Sequence, residues 1–166
     1  QVMVEDEGND HMKKIAANVR EGAMAYLKQQ YKVVLVFFIV ITIIFSFMAY
    51  VLEVQNPWVP FAFITGGFFS GLAGFFGMKT ATYASARTAN AAEKSLNAGL
   101  KIAFRSGSVM GLVVVGLGLL DISIWFYVLN IFYPFKLTDG HNLVIITTTM
   151  LTFGMGASAQ ALFARV

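Results

Sequence analysis

The chain has 166 residues, of which 57% are apolar and only 13% are charged, and sixteen residues are phenylalanine. A soluble domain averages about 45–50% apolar and about 25% charged residues, so this composition indicates a protein that lipid surrounds. The absence of cysteine excludes a disulfide framework, a thiolate metal site and a cysteine nucleophile.

The N-terminal part of the sequence predicts an amphipathic helix. Gly8, Asn9 and Asp10 are typical of a helix cap, and apolar side chains then recur at intervals of three and four residues. We predict a helix over about residues 10–32 that continues into the first apolar segment, packed on its own bundle or lying on the lipid surface. The start of the sequence lacks a signal-peptide pattern, and we expect it to be internal to a longer chain.

Four apolar segments are each long enough to cross a bilayer. A helix rises about 1.5 Å per residue, so about 20 residues cover the roughly 30 Å hydrocarbon core. The connection between the second and third segments, residues 79–108, is rich in alanine and predicts two helical extensions with a bend near residues 95–99. The predicted spans are residues 33–52, 58–78, 109–132 and 143–164.

The predicted fold is therefore all-α, a polytopic transmembrane bundle of four spanning helices with cytoplasmic helical extensions. Four spans place the N-terminal piece, the 79–108 connection and the C-terminal end on one side of the membrane. That side carries eleven lysine and arginine residues, whereas the other side carries only Lys136. The positive-inside rule makes the crowded side cytoplasmic. The net charge of +3 then reflects topology, and we predict no nucleic-acid partner.

Asp121 is the only charged residue inside a predicted span. A carboxylate in an apolar helix is costly, and it is usually paired, neutralised or placed near water. A helix of sixteen residues from Arg105, about 24 Å long, places Asp121 in the outer part of the membrane. Two roles are open: a hydrogen bond to Ser123 or to a neighbouring helix, and a place in an ion pathway.

The fourth span carries two polar faces. Such faces contact either other helices, through hydroxyl hydrogen bonds, or a water-filled path. Gln160 is thus a candidate for a structural polar contact or for the ion pathway. One face comprises Thr148, Thr152 and Met155, the other comprises Thr149, Thr152, Gly156 and Gln160, and Ser158, Leu162 and Arg165 follow at the same spacing.

Arg165 ends this polar helix and is predicted to act in the ion pathway or in coupling. Its guanidinium stays protonated, so it can meet a carboxylate or an anion, and can orient a proton or sodium ion by repulsion. Snorkelling of the side chain to the cytoplasmic interface explains the residue equally well.

No residue of this chain is predicted to be catalytic or to bind a metal. His11 and His141 fall on opposite sides of the membrane in this topology and cannot share an ion. The segment GFFGMKT at 74–80 lacks the glycine that directly precedes the lysine of a phosphate-binding loop.

Four blocks of sequence resemble, in order, the N-terminal part of the membrane-integral pyrophosphatases, which are ion pumps that hydrolyse inorganic pyrophosphate. The resemblance covers nearly the whole chain, although members of that family have many more spans. The blocks are IAANVREGAMAYLKQQYK at 15–32, GMKTATYASARTANAA at 77–92, AFRSGSVMG at 103–111 and GMGASAQALFARV at 154–166.

The resemblance implies one segment of a multi-pass membrane pump, in the inner membrane if the organism is bacterial. The pump would couple cytoplasmic pyrophosphate hydrolysis to outward transfer of H+ or Na+. Mg2+ is the implied cofactor of its substrate site, and K+ or Na+ are further candidates. The implied partners are membrane lipid, the remaining helices of the pump, pyrophosphate and a second copy in a homodimer.

The resemblance also places Arg165 in the route from the hydrolytic centre to the ion gate, with the fourth span in an inner ring of helices and the other three in an outer ring. Hydrolysis through bound magnesium needs clustered carboxylates and lysines. In the family these begin beyond the point that matches Val166, so we expect the segment alone to be inactive.

Two other functions remain open from the sequence. One is a four-span scaffold or assembly protein whose glycine-rich faces bind partner helices. The other is a small ion channel that uses Asp121 and the threonines of the fourth span; ion flux through liposomes holding this chain alone, abolished by Asp121→Ala, would support it.

Overall fold

Four long helices follow one another along the chain, and no strand occurs in the part of the chain that the structure describes, residues 2–133 and 140–164. The structure is a computed structural model. Each helix is long and apolar enough to cross a membrane, which confirms the all-α prediction of four candidate spans. The helices are α1 (Asp10–Tyr50), α2 (Val59–Lys94), α3 (Leu96–Phe132) and α4 (Gly140–Phe163), after a single 3-10 turn at Val2–Val4.

The start of α1 follows the predicted cap. Asn9 Oδ1 accepts a hydrogen bond from the Met12 backbone N–H at 2.8 Å, and so satisfies one of the free N–H groups of the first turn. Gly8 has a φ of 95°, a conformation that L side chains rarely adopt. The amphipathic segment and the first apolar segment form one helix of 41 residues, as predicted.

The predicted bend between the second and third spans is a break at a single residue, Ser95. Its Oγ accepts a hydrogen bond from the Ala98 N–H at 3.2 Å and caps α3. A Cβ on Gly99 would lie 2.8 Å from the Ala92 Cβ, so a glycine lets the first turn of α3 approach the last turn of α2. The cap and the close approach together explain why α2 and α3 need only one residue between them.

Helix α4 begins at Gly140, three residues before the predicted start of the fourth span. Two residues of the sequence argument, Lys136 and Arg165, lie outside the described residues.

The chain divides into two compact units. Unit 1 comprises residues 1–29 and 73–115, and unit 2 comprises residues 30–72 and 116–166. In unit 2 the core consists of Ala62, Trp125, Leu129 and Ile146, which come from α2, α3 and α4. The Trp125 indole Nε1–H donates to Thr65 Oγ1 at 2.7 Å, so the one polar atom of this ring is satisfied inside the core.

In unit 1, ion pairs hold the segment that precedes α1. Arg87 Nη1 lies 2.9 Å from Glu7 Oε1, and Arg87 Nε donates to the Glu5 carbonyl oxygen at 3.0 Å. Arg20 pairs with the same Glu7 oxygen, and its guanidinium lies 4.2 Å from the centre of the Tyr83 ring. One carboxylate thus joins α1 and α2, and the segment before α1 is fixed by it.

We expect Arg87→Ala to destabilise unit 1, because removing one member of a largely buried ion pair leaves its partner short of counter-charge. The expected loss in free energy of unfolding is about 2 kcal/mol. Thermal unfolding in detergent measures this loss, and limited proteolysis should cut residues 2–9 faster. The matched control is Lys28→Ala, which removes an exposed cation of α1; equal stability of the two variants would contradict a stabilising role for the ion pair.

Candidate functional site

Helix α4 has one face that the structure buries and one that it leaves exposed. The predicted grouping of Thr149, Thr152, Gly156 and Gln160 on one face is confirmed, and this is the buried face. On the opposite side Leu151, Met155 and Leu162 are 67%, 51% and 65% exposed. Thr148 and Ser158 are exposed at the same helical spacing. Inside unit 2, therefore, α4 is packed along one side only.

Glycines bring the buried face of α4 into backbone contact with α2. A Cβ on Gly156 would collide with the Phe63 carbonyl oxygen, and one on Gly66 would collide with the Phe153 carbonyl oxygen. A Cβ on Gly71 would lie 3.6 Å from Gln160 Nε2, which is ordinary contact. Small residues allow this kind of close approach between helices in lipid.

Four glycines of α3 beyond Gly99 behave differently from those of α2 that contact other helices. A Cβ at Gly107, Gly111, Gly116 or Gly118 would meet nothing within 4 Å among the described residues. The sequence pattern is similar in the two helices, so the pattern by itself did not indicate which glycines pack within this chain.

Three side chains from outside α4 donate hydrogen bonds to its backbone carbonyl oxygens. The three accepting carbonyl groups lie near the beginning of α4, in its second half and at its end. Each of them gains a hydrogen bond from outside the helix. Together they fix the position of α4 along its axis. The bonds run from Asn56 Nδ2 to Ile145 (3.4 Å), from Ser70 Oγ to Ala157 (3.1 Å) and from Gln30 Nε2 to Phe163 (2.5 Å).

The threonine hydroxyls of α4 bond mainly to their own helix. Thr148, Thr149 and Thr152 each donate to the carbonyl oxygen four residues earlier, at 2.8 Å. Of these, the Thr149 oxygen also accepts a bond from Asn56 Nδ2, at 3.1 Å. Hydrogen bonding to another part of the chain therefore accounts for Thr149, whereas the oxygens of the other two keep lone pairs free for water or a cation.

A cavity of about 640 Å³ lies beside the first half of α4 in unit 2. Thr148, Thr152 and Met155, which the sequence placed on one face, all line it. The connection between α1 and α2 contributes Glu53, a residue for which the sequence predicted no role. Polar groups from two distant parts of the chain therefore meet at this cavity.

Asp121 is nearly fully buried, with 1% of its surface exposed. It precedes Trp125 by one helical turn on α3, on the side that faces the core of unit 2. Its Oδ2 has no hydrogen-bond partner within residues 2–133 and 140–164. Asp121 is also not among the residues that line the cavity beside α4. The structure thus groups Gln160 with Thr149 and Thr152 on the buried face of α4, and neither Gln160 nor Asp121 lines the cavity.

Arg165 follows the described part of α4, so no contact of its side chain is described. The nearest anchor is the hydrogen bond from Gln30 to the Phe163 carbonyl oxygen, two residues earlier. Sequence reasoning missed Gln30, Asn56 and Ser70, because a single polar residue near an apolar segment carries no signal of a partner that is distant in sequence.

The described residues contain no group of three or more histidine, aspartate or glutamate side chains that could hold a metal ion. Among these side chains, the carboxylates of aspartate and glutamate supply the oxygen ligands that Mg2+ prefers. Among the residues that the structure describes, no such cluster of carboxylates is present.

Comparison with known proteins gives a consistent result. A sequence profile described as inorganic H+ pyrophosphatase matches residues 1–166. The chain is 71% identical over its whole length to a protein of Bacteroides thetaiotaomicron that is provisionally named a K+-stimulated pyrophosphate-energized sodium pump. Over 99% of its length it is 37% identical to a K+-insensitive pyrophosphate-energized proton pump of Moorella thermoacetica. The chain spans 23% and 22% of these relatives, and its four apolar helices fit an integral, multi-pass membrane protein.

Two glycines two residues apart test the contact between α2 and α4. We expect Gly156→Ala to destabilise the protein by about 1–3 kcal/mol, because its Cβ meets a backbone atom that cannot move aside easily. Gly154→Ala should be neutral or stabilising by up to about 1 kcal/mol, since its Cβ meets nothing within 4 Å and alanine favours a helix. Thermal unfolding in detergent compares the two variants, and equal effects would refute the contact.

Proposed function

The chain belongs to the inorganic H+ pyrophosphatase family, and on that premise we propose that it is a segment of a membrane pump that couples pyrophosphate hydrolysis to ion transport. The match of the family profile to every residue of the chain carries this proposal. The relatives described above are named as pyrophosphate-energized pumps. Because the chain spans less than a quarter of their length, hydrolysis is proposed for the whole pump and not for this segment alone.

We propose that the transported ion is Na+ and that K+ stimulates the pump. The 71% identity to a provisionally named K+-stimulated sodium pump exceeds the 37% identity to a proton pump, and both comparisons cover at least 99% of the chain. A Clostridium tetani protein with the same provisional name is 42% identical over 98% of the chain.

We propose that Mg2+ and pyrophosphate are bound by parts of the pump other than this chain. This follows from the lack of a suitable carboxylate cluster in the described residues. A homodimer and a surrounding layer of lipid belong to the same proposal and rest on the family resemblance.

Within the pump, we propose that α4 positions Arg165 for coupling. The buried face of α4 is held by α2 and by three hydrogen bonds to its backbone, the last of them from Gln30. Arg165 continues the exposed series Thr148, Met155, Ser158 and Leu162 by helical spacing. That series is free to contact the remaining helices of the pump. The fixed positive charge of Arg165 would then meet acidic partners on those helices and repel a mobile cation.

We propose structural roles for Gln160 and Asp121. Gln160 is buried against Gly71, inside the contact between α2 and α4. Asp121 is buried in α3 and does not line the cavity beside α4, where the hydroxyl oxygens lie. A small channel built from Asp121 and the threonines therefore has less support than the pump.

The proposed function predicts sodium transport driven by pyrophosphate. With the complete pump in liposomes, magnesium and pyrophosphate outside should drive uptake of radioactive sodium. A protonophore should not stop this uptake, because Na+ is moved directly, and K+ should increase it. A matched preparation that receives phosphate in place of pyrophosphate is the control. Acidification of the liposomes without sodium uptake would contradict Na+ as the transported ion, and a complete lack of hydrolysis would contradict the pump.

The anchoring of α4 predicts a specific effect of Gln30 on coupling. Arg165→Ala should lower the number of ions moved per pyrophosphate hydrolysed at least tenfold. Gln30→Ala should lower the same ratio about fivefold, the equivalent of one lost hydrogen bond of about 1 kcal/mol. Gln29→Ala, which changes an exposed neighbour of the same residue type, is the control. Transport and hydrolysis are measured on the same liposomes.

Normal coupling in Arg165→Ala would overturn the proposed role of the arginine. Normal coupling in Gln30→Ala alone would overturn only the positioning role of the hydrogen bond. A fall in hydrolysis and transport by the same factor would indicate loss of fold and not loss of coupling.

A further inference from the structure

Unit 1 contains a cavity of about 680 Å³ that is lined by residues 76–83 of α2, residues 101–109 of α3, and Val2 and Met3 of the segment before α1. It is independent of the buried face of α4, and the proposed pump function does not use it. Positive and apolar side chains line it together. The positive ones are Lys79, Lys101 and Arg105, and the apolar ones include Phe76, Phe104 and Val109.

The three cations of this cavity lack acidic partners. No glutamate or aspartate is among the residues that line it. Among the described ion pairs, none involves Lys79, Lys101 or Arg105, and the one described partner of the Lys79 ammonium is the Phe75 ring at 6.0 Å. By contrast, the buried Arg87 of the same unit is paired with Glu7. Three positive charges therefore converge on one cavity without a described ion pair, although Lys101 and Arg105 also line a smaller neighbouring cavity that Glu5 and Asp6 share.

The apolar side chains lie on the membrane side of two of these cations. Along α2, Phe76 precedes Lys79 by three residues, about 4.5 Å toward the predicted span, and along α3 Val109 follows Arg105 by about 6 Å. Lys79 directly follows the predicted span that ends at residue 78, and Arg105 lies four residues before the span that begins at residue 109. Phe104 is 73% exposed, and Phe76 and Val109 are each 45% exposed. Phe76 and Val109 therefore lie at the level of acyl chains, whereas Phe104 lies at the level of the cations, where lipid headgroups begin.

We propose that this cavity binds an anionic phospholipid of the adjacent leaflet. Its phosphate lies among Lys79, Lys101 and Arg105, and an acyl chain runs from Phe104, level with the cations, toward Phe76 and Val109. Basic pockets between helices at the cytoplasmic surface are suited to such headgroups, and anionic lipids are abundant in that leaflet. A free phosphate ion would satisfy the charges but would leave the apolar surface uncovered. The combination of charge and exposed apolar surface thus favours a lipid over a soluble anion.

Lipid binding to the intact protein in detergent tests the proposal. Native mass spectrometry compares the retention of phosphatidylglycerol with that of phosphatidylcholine of the same chain length. Each cation near an anionic headgroup contributes about fivefold. The triple variant K79Q/K101Q/R105Q should therefore bind phosphatidylglycerol roughly 100-fold more weakly, with phosphatidylcholine unchanged. The control K14Q/K28Q/K32Q removes three exposed cations from α1 and should bind as the wild type does.

A second variant separates a lipid site from a soluble-anion site. Phe104→Ala keeps all three cations and should weaken phosphatidylglycerol binding about tenfold, because part of the acyl-chain surface is lost. Excess inorganic phosphate should not displace the lipid from the wild type. Displacement by phosphate, or equal lipid binding in the two triple variants, would overturn the proposal. If the first triple variant does not elute as a single species in gel filtration, the result for Phe104→Ala decides: unchanged binding overturns the site.

Discussion

The arrangement of unit 2 depends on backbone contact between α2 and α4. In lipid, apolar side chains gain little by leaving their surroundings for another helix, so association relies on close packing and on hydrogen bonds. Gly66 and Gly156 supply the close packing, since a Cβ at either position would collide with a carbonyl oxygen of the other helix. With the helices this close, the short side chain of Ser70 reaches the Ala157 carbonyl oxygen. The hydrogen bond from Ser70 to α4 thus follows from the glycines.

This one-sided packing gives α4 a fixed face and a free face. The fixed face is held at Ile145, Ala157 and Phe163, near its beginning, in its second half and at its end. The free face carries exposed apolar and hydroxyl side chains. A helix of this kind can present a charge to a neighbouring helix at a defined position. The contacts on its buried face fix both its rotation about its own axis and its position along that axis. The proposed coupling role of Arg165 rests on this property.

Unit 1 shows two different uses of positive charge within one small region. Arg20 and Arg87 share the Glu7 carboxylate and hold the segment before α1 in place. Lys79, Lys101 and Arg105 have no such partner and converge on a cavity beside exposed phenylalanine. When lysine and arginine residues are counted to predict membrane topology, all five residues count equally. Their partners distinguish a structural ion pair from a surface that is complementary to an anionic headgroup.

The sequence by itself determined the four helices and most of their ends. Asn9 and Ser95 cap α1 and α3 through contacts three residues away, and a long apolar run predicts a span whatever packs against it. Only the tertiary structure decided that Gly156 packs while Gly154 does not, and that Gln30 holds the end of α4 from 133 residues away. Caps and spans follow from neighbours along the chain. Helix contacts depend instead on which faces meet, and a repeating pattern of small and polar residues is compatible with several ways of pairing them.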